Sequence, residues 1–410
     1  MDTIEYPTQP TSLCHPHRPK LSELQARVAE LSPVFAARAG QIETDRRVSM
    51  DNIEALRAIG YFDVVKPKAF GGYEFDFSAL VELNIGLAKS CASTAWVAGL
   101  LAAHQWLLAT FPEQAQKDVW DDNPDALVCG SYAPVCKAEA AEGGYRISGR
   151  WSFASGSDCA QWAICAAILP EEESRPAGPA FLLVPAHEYI IEDTWNVVGL
   201  GGTGSKTLVM ENVLVPAHRV LTFADMSNGQ GPGASLYAAN HTFKMPMLCN
   251  IPSCLASVAI GAAKGALEDY LERTATRVTR GAVAGGQNRM AEFPTVQLRV
   301  ADAQASCTAA HRTLIADLKA REATIKSGET ISTKERIESR LGQAFSVALA
   351  VRATEALNAS TGGQGLDISH PVQRAWRDVN AVSRHISMNW DAVGTMYGQL
   401  ALGLEPKGQY

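Results

Sequence analysis

The sequence predicts a mainly α fold with a small, central, antiparallel β domain of barrel-like character. That domain lies between a helical N-terminal domain and a C-terminal four-helix bundle. Three observations predict it. Apolar residues recur at three- and four-residue steps through about residue 120, the stripe of amphipathic helices. Short alternating runs separated by turns fill 126–216, as strands of a small antiparallel domain do. Helical periodicity returns near 248 and holds to 402, which accommodates four long helices. The chain divides accordingly into an arm at 1–20, a helical domain at 21–124, a β domain at 125–220 and a helical bundle domain at 221–410. A chain of 410 residues with 47% hydrophobic content can bury a large core.

The elements follow in order. The arm has no basic-then-apolar leader pattern and reads as flexible. Leu21, Leu24, Val28, Leu31 and Val34 form the apolar stripe of a first helix. A second helix starts around Asp51 and ends at Gly60. A Pro/Gly loop occupies 66–73, and apolar helices follow near 76–89 and 92–110. Strand patterns occupy 126–134, 143–153, 162–169, 180–185 and 206–216, and the charged stretch 170–179 reads as a solvated hairpin tip. The C-terminal helices run near 249–280, 293–325, 332–360 and 371–399. They offer more apolar stripe than one bundle core needs, so some faces are expected to bury against other subunits.

Composition excludes several classes. The net charge is −7, against the basic surface that a nucleic-acid-coating protein needs. Nine cysteines occur in an odd set without CxxC or zinc-finger spacing, which suits reduced thiols in the cytoplasm better than a disulfide framework. The apolar stretch at 95–108 is interrupted by His104 and Gln105 and is short for a membrane span. A soluble, cytoplasmic protein is expected, with no nucleic-acid or membrane partner.

Individual motifs have competing explanations. Gly199, Gly201 and Gly204 match GxGxxG, but a strand-like run follows where a dinucleotide site needs a helix. A glycine loop between two strands accounts for them, and it could still let the backbone approach a flat ligand. Phe153 and Ser155 lie at a turn between strand patterns, as core plus turn or as a platform for a planar heterocycle. His104 sits in an apolar helix, as a satisfied core histidine or facing a polar pocket. Arg374, Arg377, Asp378 and Arg384 precede His385 on a strongly charged helix, which suits a solvated face, an anionic cofactor or a subunit contact. Gly362, Gly363 and Gly365 can cap a helix end, and Arg277 near another helix end is favoured by the helix dipole alone.

Taken together, this order of elements resembles the acyl-CoA dehydrogenase fold from about Leu21 onward. Arg277 and Gly281 have the spacing of that superfamily's Arg-x-x-Phe-Gly element, with Arg280 in place of Phe. Gly362, Gly363, Arg374, Arg377 and Asp378 resemble its Gly-Gly…Arg-x-x-Arg-Asp signature. The Glu-Gly pair that often supplies the dehydrogenase base is replaced by 379–387, which contains no carboxylate. The match is closer to the flavin-dependent monooxygenases built on this fold, the oxygenase components of two-component systems. Ser93, Trp96 and His104 carry that resemblance, with Ser131, Tyr132 and Pro134, then Ser155 and Asp158, the run from Trp195 to Ser205, and His385 with Trp390 and Tyr397.

The resemblance implies reduced FAD or FMN delivered by an NAD(P)H-dependent flavin reductase, O2 as co-substrate, and a C4a-hydroperoxyflavin that oxygenates a small aromatic substrate. It implies a homotetramer. The C-terminal run from Gly403 is most similar to the indole-type branch, so an indole or indole-3-acetate is the leading substrate. A phenol-type hydroxylase and an acyl-CoA oxidoreductase are the alternatives. By matched position, Ser155 faces flavin N5, Phe153 packs on the isoalloxazine, and His385 serves the reacting oxygen. His104, Ser131 and Tyr132 line the substrate side. Arg277, Gly363 and Arg374 fall to flavin phosphate or subunit contacts.

Overall fold

A computed structural model describes residues 18–173, 175–237, 240–278 and 289–410. Most of the N-terminal arm lies outside the described residues, as do Arg280 and Gly281. The N-terminal part is helical: α1 (Leu21–Asp45), α2 (Met50–Ala58), α3 (Phe77–Ala88), α4 (Ala92–Leu108) and α5 (Glu113–Trp120). On α1 the buried line is Leu24, Val28, Phe35, Ala39 and Ile42. Val34, expected in the stripe, is 44% exposed because it lies one position off that line. Helix α2 starts one residue earlier than expected, where the Ser49 hydroxyl accepts from the backbone N–H of Asn52. Every residue of α4 except Leu100 is buried, which explains why that stretch is apolar all round.

Among the described residues eight strands follow: β1 (Val128–Ser131), β2 (Glu139–Ala141), β3 (Gly144–Ala154), β4 (Trp162–Leu169), β5 (Gly178–Pro185), β6 (Ile190–Glu192), β7 (Lys206–Pro216) and β8 (Val220–Thr222). They form two four-stranded sheets, ordered β1-β4-β5-β8 and β2-β3-β7-β6. Among the described residues, the pairings of these strands are antiparallel except one. Val128–Ser131 pairs in parallel with 162–165. The chain leaves β1 for the other sheet and returns to β4, and such a crossover permits parallel pairing that a hairpin forbids. Strand β3 slips register against β7 between Trp151 and Ala154, and that bulge re-aims the residues around Phe153.

The C-terminal part contains α6 (Phe223–Ser227), α7 (Met247–Ala275), α8 (Pro294–Lys326), α9 (Thr333–Asn358), α10 (Pro371–Ser383) and α11 (Trp390–Ala401). The single helix expected at 371–399 is therefore two. At the break His385 leaves helical geometry (φ −62°, ψ 137°), and its ring accepts the Ser387 N–H. Arg340 on α9 donates to the Ser387 carbonyl at 2.9 Å, so tertiary bonds replace the helical ones. Among the described residues α7 is the helix long and apolar enough to cross a membrane, but 89% of that stretch is buried in the protein. Core packing accounts for its composition.

One contiguous apolar core joins the N-terminal helices, both sheets and α7 to α10. A separate small cluster of Ile337, Ala344, Val393 and Met396 holds α11 on α9. The glycine run before β7 serves this packing. A Cβ on Gly199 would stand 2.3 Å from the Arg377 carbonyl, and one on Gly202 would stand 2.3 Å from Ile42. The close approach at Gly199 and Gly202 is between the protein's own loop and helices.

Candidate active site

Helix α4 carries the site along its length. Its residue Trp96 donates from Nε1 to Ser155 Oγ at 2.9 Å and meets the His385 ring edge-on, centroids 5.9 Å apart. Trp96 thus links two residues assigned from sequence. Ser155 follows the β3 bulge. Phe153, two residues earlier, adopts φ +64°, costly for a side chain with a Cβ. Its ring is 71% exposed and meets Trp195 edge-on, centroids 6.0 Å apart. A strained backbone that presents an exposed aromatic face beside a buried hydroxyl is suited to a flat heterocycle.

The two histidines are set in opposite tautomers. His104 Nδ1 is 2.6 Å from the Val128 carbonyl. A carbonyl only accepts, so Nδ1 carries the proton and Nε2 is left as an acceptor. His385 Nδ1 accepts from the Ser387 N–H at 3.1 Å, so its Nε2 carries the proton and is a donor. Burial brings His104 down to about 4. His385 falls to about 4, through loss of solvent and then the charge of Arg340. Both are neutral at physiological pH, one poised to receive a hydrogen bond and the other to give one.

Tyr132 packs against His104 and Phe181, with centroids 5.7 and 5.0 Å away. Its hydroxyl is buried without a hydrogen-bond partner, a cost that a bound polar group would remove. Ser131 is less available, since its hydroxyl donates to the Ser152 carbonyl at 2.7 Å. It ties β1 to the residue before Phe153.

Arg277, Gly363 and Arg374 do not join this cluster through any hydrogen bond among the described residues. Arg277 donates to the Thr361 carbonyl at 2.5 Å, beside the Gly362–Gly363 turn, and lines a cleft of about 500 Å³ with Arg273 and Gln364. Among the described residues, no atom other than those of Gly363 and its two chain neighbours would lie within 4 Å of a Cβ there. Arg374 forms an ion pair with Glu43 of α1 at 3.1 Å, and Arg377 pairs with the same carboxylate.

Several residues of the arrangement carried no assigned role in the sequence reading. Trp96, Thr203, Ser205 and Asp378 lie inside the motifs that resemble those of the monooxygenases, so their positions carried a signal. Thr203 Oγ1 is 2.8 Å from Ser205 Oγ, which is 2.7 Å from Ser155 Oγ. Asp378 is buried and accepts from the Leu200 N–H at 2.6 Å. Burial pushes it up to about 6 against that bond and the arginines beside it. Arg340 has no local signal, because only the fold brings α9 to the His385 break. Among the described residues no cluster of His, Cys, Asp or Glu suits a metal ion.

Residues 253–390 match the family described as acyl-CoA dehydrogenase, C-terminal domain. The chain is 62% identical to an FADH(2)-dependent resorcinol hydroxylase, oxygenase component, of Rhizobium sp. (strain MTP-10005), over 94% of this chain and 96% of that protein. It is 30% identical to an indole-3-acetate monooxygenase of Acinetobacter baumannii, over 91% of this chain and 92% of the relative. The crystal structure of 3-HSA hydroxylase from Rhodococcus sp. RHA1 superposes with a TM-score of 0.88 at 33% identity, covering 94% of this chain and 98% of that one.

Proposed function

Because the chain belongs to the family of oxygenase components of two-component flavin-dependent monooxygenases with the acyl-CoA dehydrogenase fold, we propose that its substrate is a small phenol, a 1,3-dihydroxybenzene of the resorcinol type. The enzyme uses reduced flavin and O2 and incorporates oxygen into its substrate. The expected indole gives way to the phenol-type alternative, since the 62% identity is to a resorcinol hydroxylase and the indole-3-acetate relative stands at 30%. The observation that carries the reading is the His104–Tyr132 pair. A neutral imidazole with a free acceptor nitrogen receives a phenol O–H, and an unpartnered buried hydroxyl answers a second oxygen.

The residues present fit a reduced flavin. Phe153 offers an exposed face and Ser155 a hydroxyl beside it. Bound reduced flavin supplies the electrons that activate O2. His104 Nε2 takes a hydrogen bond from the phenol and raises electron density on the ring. His385 Nε2–H donates a hydrogen bond toward the transferred oxygen. Trp96 and the buried face of α4 exclude water, which limits wasteful loss of oxygen as hydrogen peroxide.

FAD is the preferred flavin in this reading, delivered by a transient NAD(P)H-dependent reductase. A homotetramer is part of it. Leu366 and Ile368, next to the Gly363 turn, are 82% and 70% exposed and would be covered by a neighbouring subunit. A cytoplasmic location suits the eight described cysteines, all free. The test is to mix protein with photoreduced FAD and 18O2, with resorcinol or indole-3-acetate present. Labelled trihydroxybenzene from resorcinol and no labelled indole product is the expected result. Label only in the indole product would overturn the substrate assignment.

A further inference from the structure

The hydroxyl that faces the flavin edge in this reading has its proton direction set from a distance. Three short contacts lead away from Ser155. Its Oγ lies 2.7 Å from Ser205 Oγ, Ser205 Oγ lies 2.8 Å from Thr203 Oγ1, and Thr203 Oγ1 lies 3.0 Å from the Leu200 carbonyl. Three hydroxyl protons serve three contacts. The last acceptor is a carbonyl, which has no proton to give. Every contact holds one proton only if all three hydroxyls point toward Leu200. Any other arrangement leaves two oxygens facing each other in a buried site, at the cost of a lost hydrogen bond.

The terminus of the chain is itself anchored. The Leu200 carbonyl also accepts from Trp195 Nε1 at 3.1 Å, and the Leu200 N–H is held by Asp378 at 2.6 Å. Leu200 stands at φ +55°, so the peptide is held in an unusual orientation by bonds on both sides. At the other end, Ser155 Oγ receives the Trp96 N–H at 2.9 Å. A serine hydroxyl has one proton and two lone pairs. The proton goes to Ser205 and one lone pair to Trp96, which leaves one lone pair and no donor.

We propose that Thr203 and Ser205 are positioning residues that lock Ser155 as a hydrogen-bond acceptor, so that the site selects the N5–H of reduced flavin over the bare N5 of oxidised flavin. The inference rests on the reading that Ser155 faces N5. Reduced N5 bears a hydrogen and matches the open lone pair. Oxidised N5 bears only a lone pair and meets another. The mismatch favours capture of the reduced cofactor and release of the oxidised one, which a two-component oxygenase needs in every turnover.

The test is the ratio of dissociation constants for oxidised and photoreduced FAD, measured anaerobically in wild type, Thr203→Val, Thr203→Ser, Ser205→Ala and Ser155→Ala. Wild type binds reduced FAD more tightly. Thr203→Val removes the end of the relay, and Ser205 can then turn its proton to Ser155, freeing Ser155 to donate. Oxidised FAD gains affinity and reduced FAD loses it, and the ratio narrows by about fivefold. Ser205→Ala acts in the same direction, and Thr203→Ser keeps the wild-type ratio. A parallel loss of both affinities would mean that Thr203 is only structural and would overturn the relay. An unchanged ratio in Thr203→Val and Ser205→Ala, with a collapsed ratio in Ser155→Ala, also overturns the relay while the placement of Ser155 stands. An unchanged ratio in Ser155→Ala removes Ser155 from N5 and takes the placement down with the relay.

Discussion

At the scale of single residues, the backbone decides what each functional side chain can do. His104 is neutral because it is buried, and its tautomer is chosen by the Val128 carbonyl. This has a consequence for stability. The ordinary histidine value is about 6.5, and His104 is lowered to about 4 in the folded protein. Between those values the unfolded chain binds a proton that the folded chain does not. Stability is therefore fully present above about 6.5 and falls as pH drops toward 4. His104→Gln should shrink this acid-induced loss by an amount on the order of 3 kcal/mol at full extent, read from urea unfolding at stepped pH. Phe153 makes the opposite trade. Its φ of +64° is strained and its ring is mostly exposed. Phe153→Gly should raise stability by about 1 kcal/mol and weaken reduced-FAD binding. Lower stability in that variant would mean that the strain is absent or the Trp195 contact outweighs it.

At the scale of elements, the break between α10 and α11 places His385. The sequence pattern there continues as helix, and Arg340 on α9 holds the interruption through Ser387. Arg340 is buried, and it also donates to Gln343 at 2.8 Å. Removing a buried charge need not destabilise the protein, so Arg340→Met separates folding from positioning. Its unfolding midpoint should change little. Amides at 385–388 should exchange faster with deuterium, and product formed per flavin oxidised should fall about tenfold, a modest part of what a placed hydrogen-bond donor contributes. Normal yield with faster exchange would remove His385 from the chemistry.

At the scale of the whole molecule, a single carboxylate joins the first helix to the last part of the bundle. Glu43 of α1 receives both Arg374 and Arg377 of α10. Burial alone would raise it, but Arg377 and then Arg374 outweigh burial and hold it below the usual carboxylate range. A lowered carboxylate stabilises above its unfolded value and loses that contribution as pH falls through its folded one. Glu43→Gln should therefore cost about 1–2 kcal/mol at neutral pH and less in acid, where wild-type Glu43 is itself protonated. Equal costs at pH 7 and pH 3 in denaturant titrations would show that the clamp acts through shape alone.

Much of this is legible in the sequence alone. Helical and alternating periodicities are local properties, so the order of helices, strands and bundle could be read directly. The spaced motifs around Ser155, His104 and His385 pointed to the family for the same reason. Local pattern is enough to specify the set of elements and the chemical types that each one carries. Tertiary structure alone decided the parallel pairing of β1 with β4, the break after Ser383 and the direction of the protons on His104, His385 and Ser155. Each depends on a partner far away in the chain: Val128 for His104, Arg340 for the break, and the Leu200 carbonyl for the serine relay. A residue type specifies how many hydrogen bonds a side chain can make, and only the folded neighbours specify which way they run.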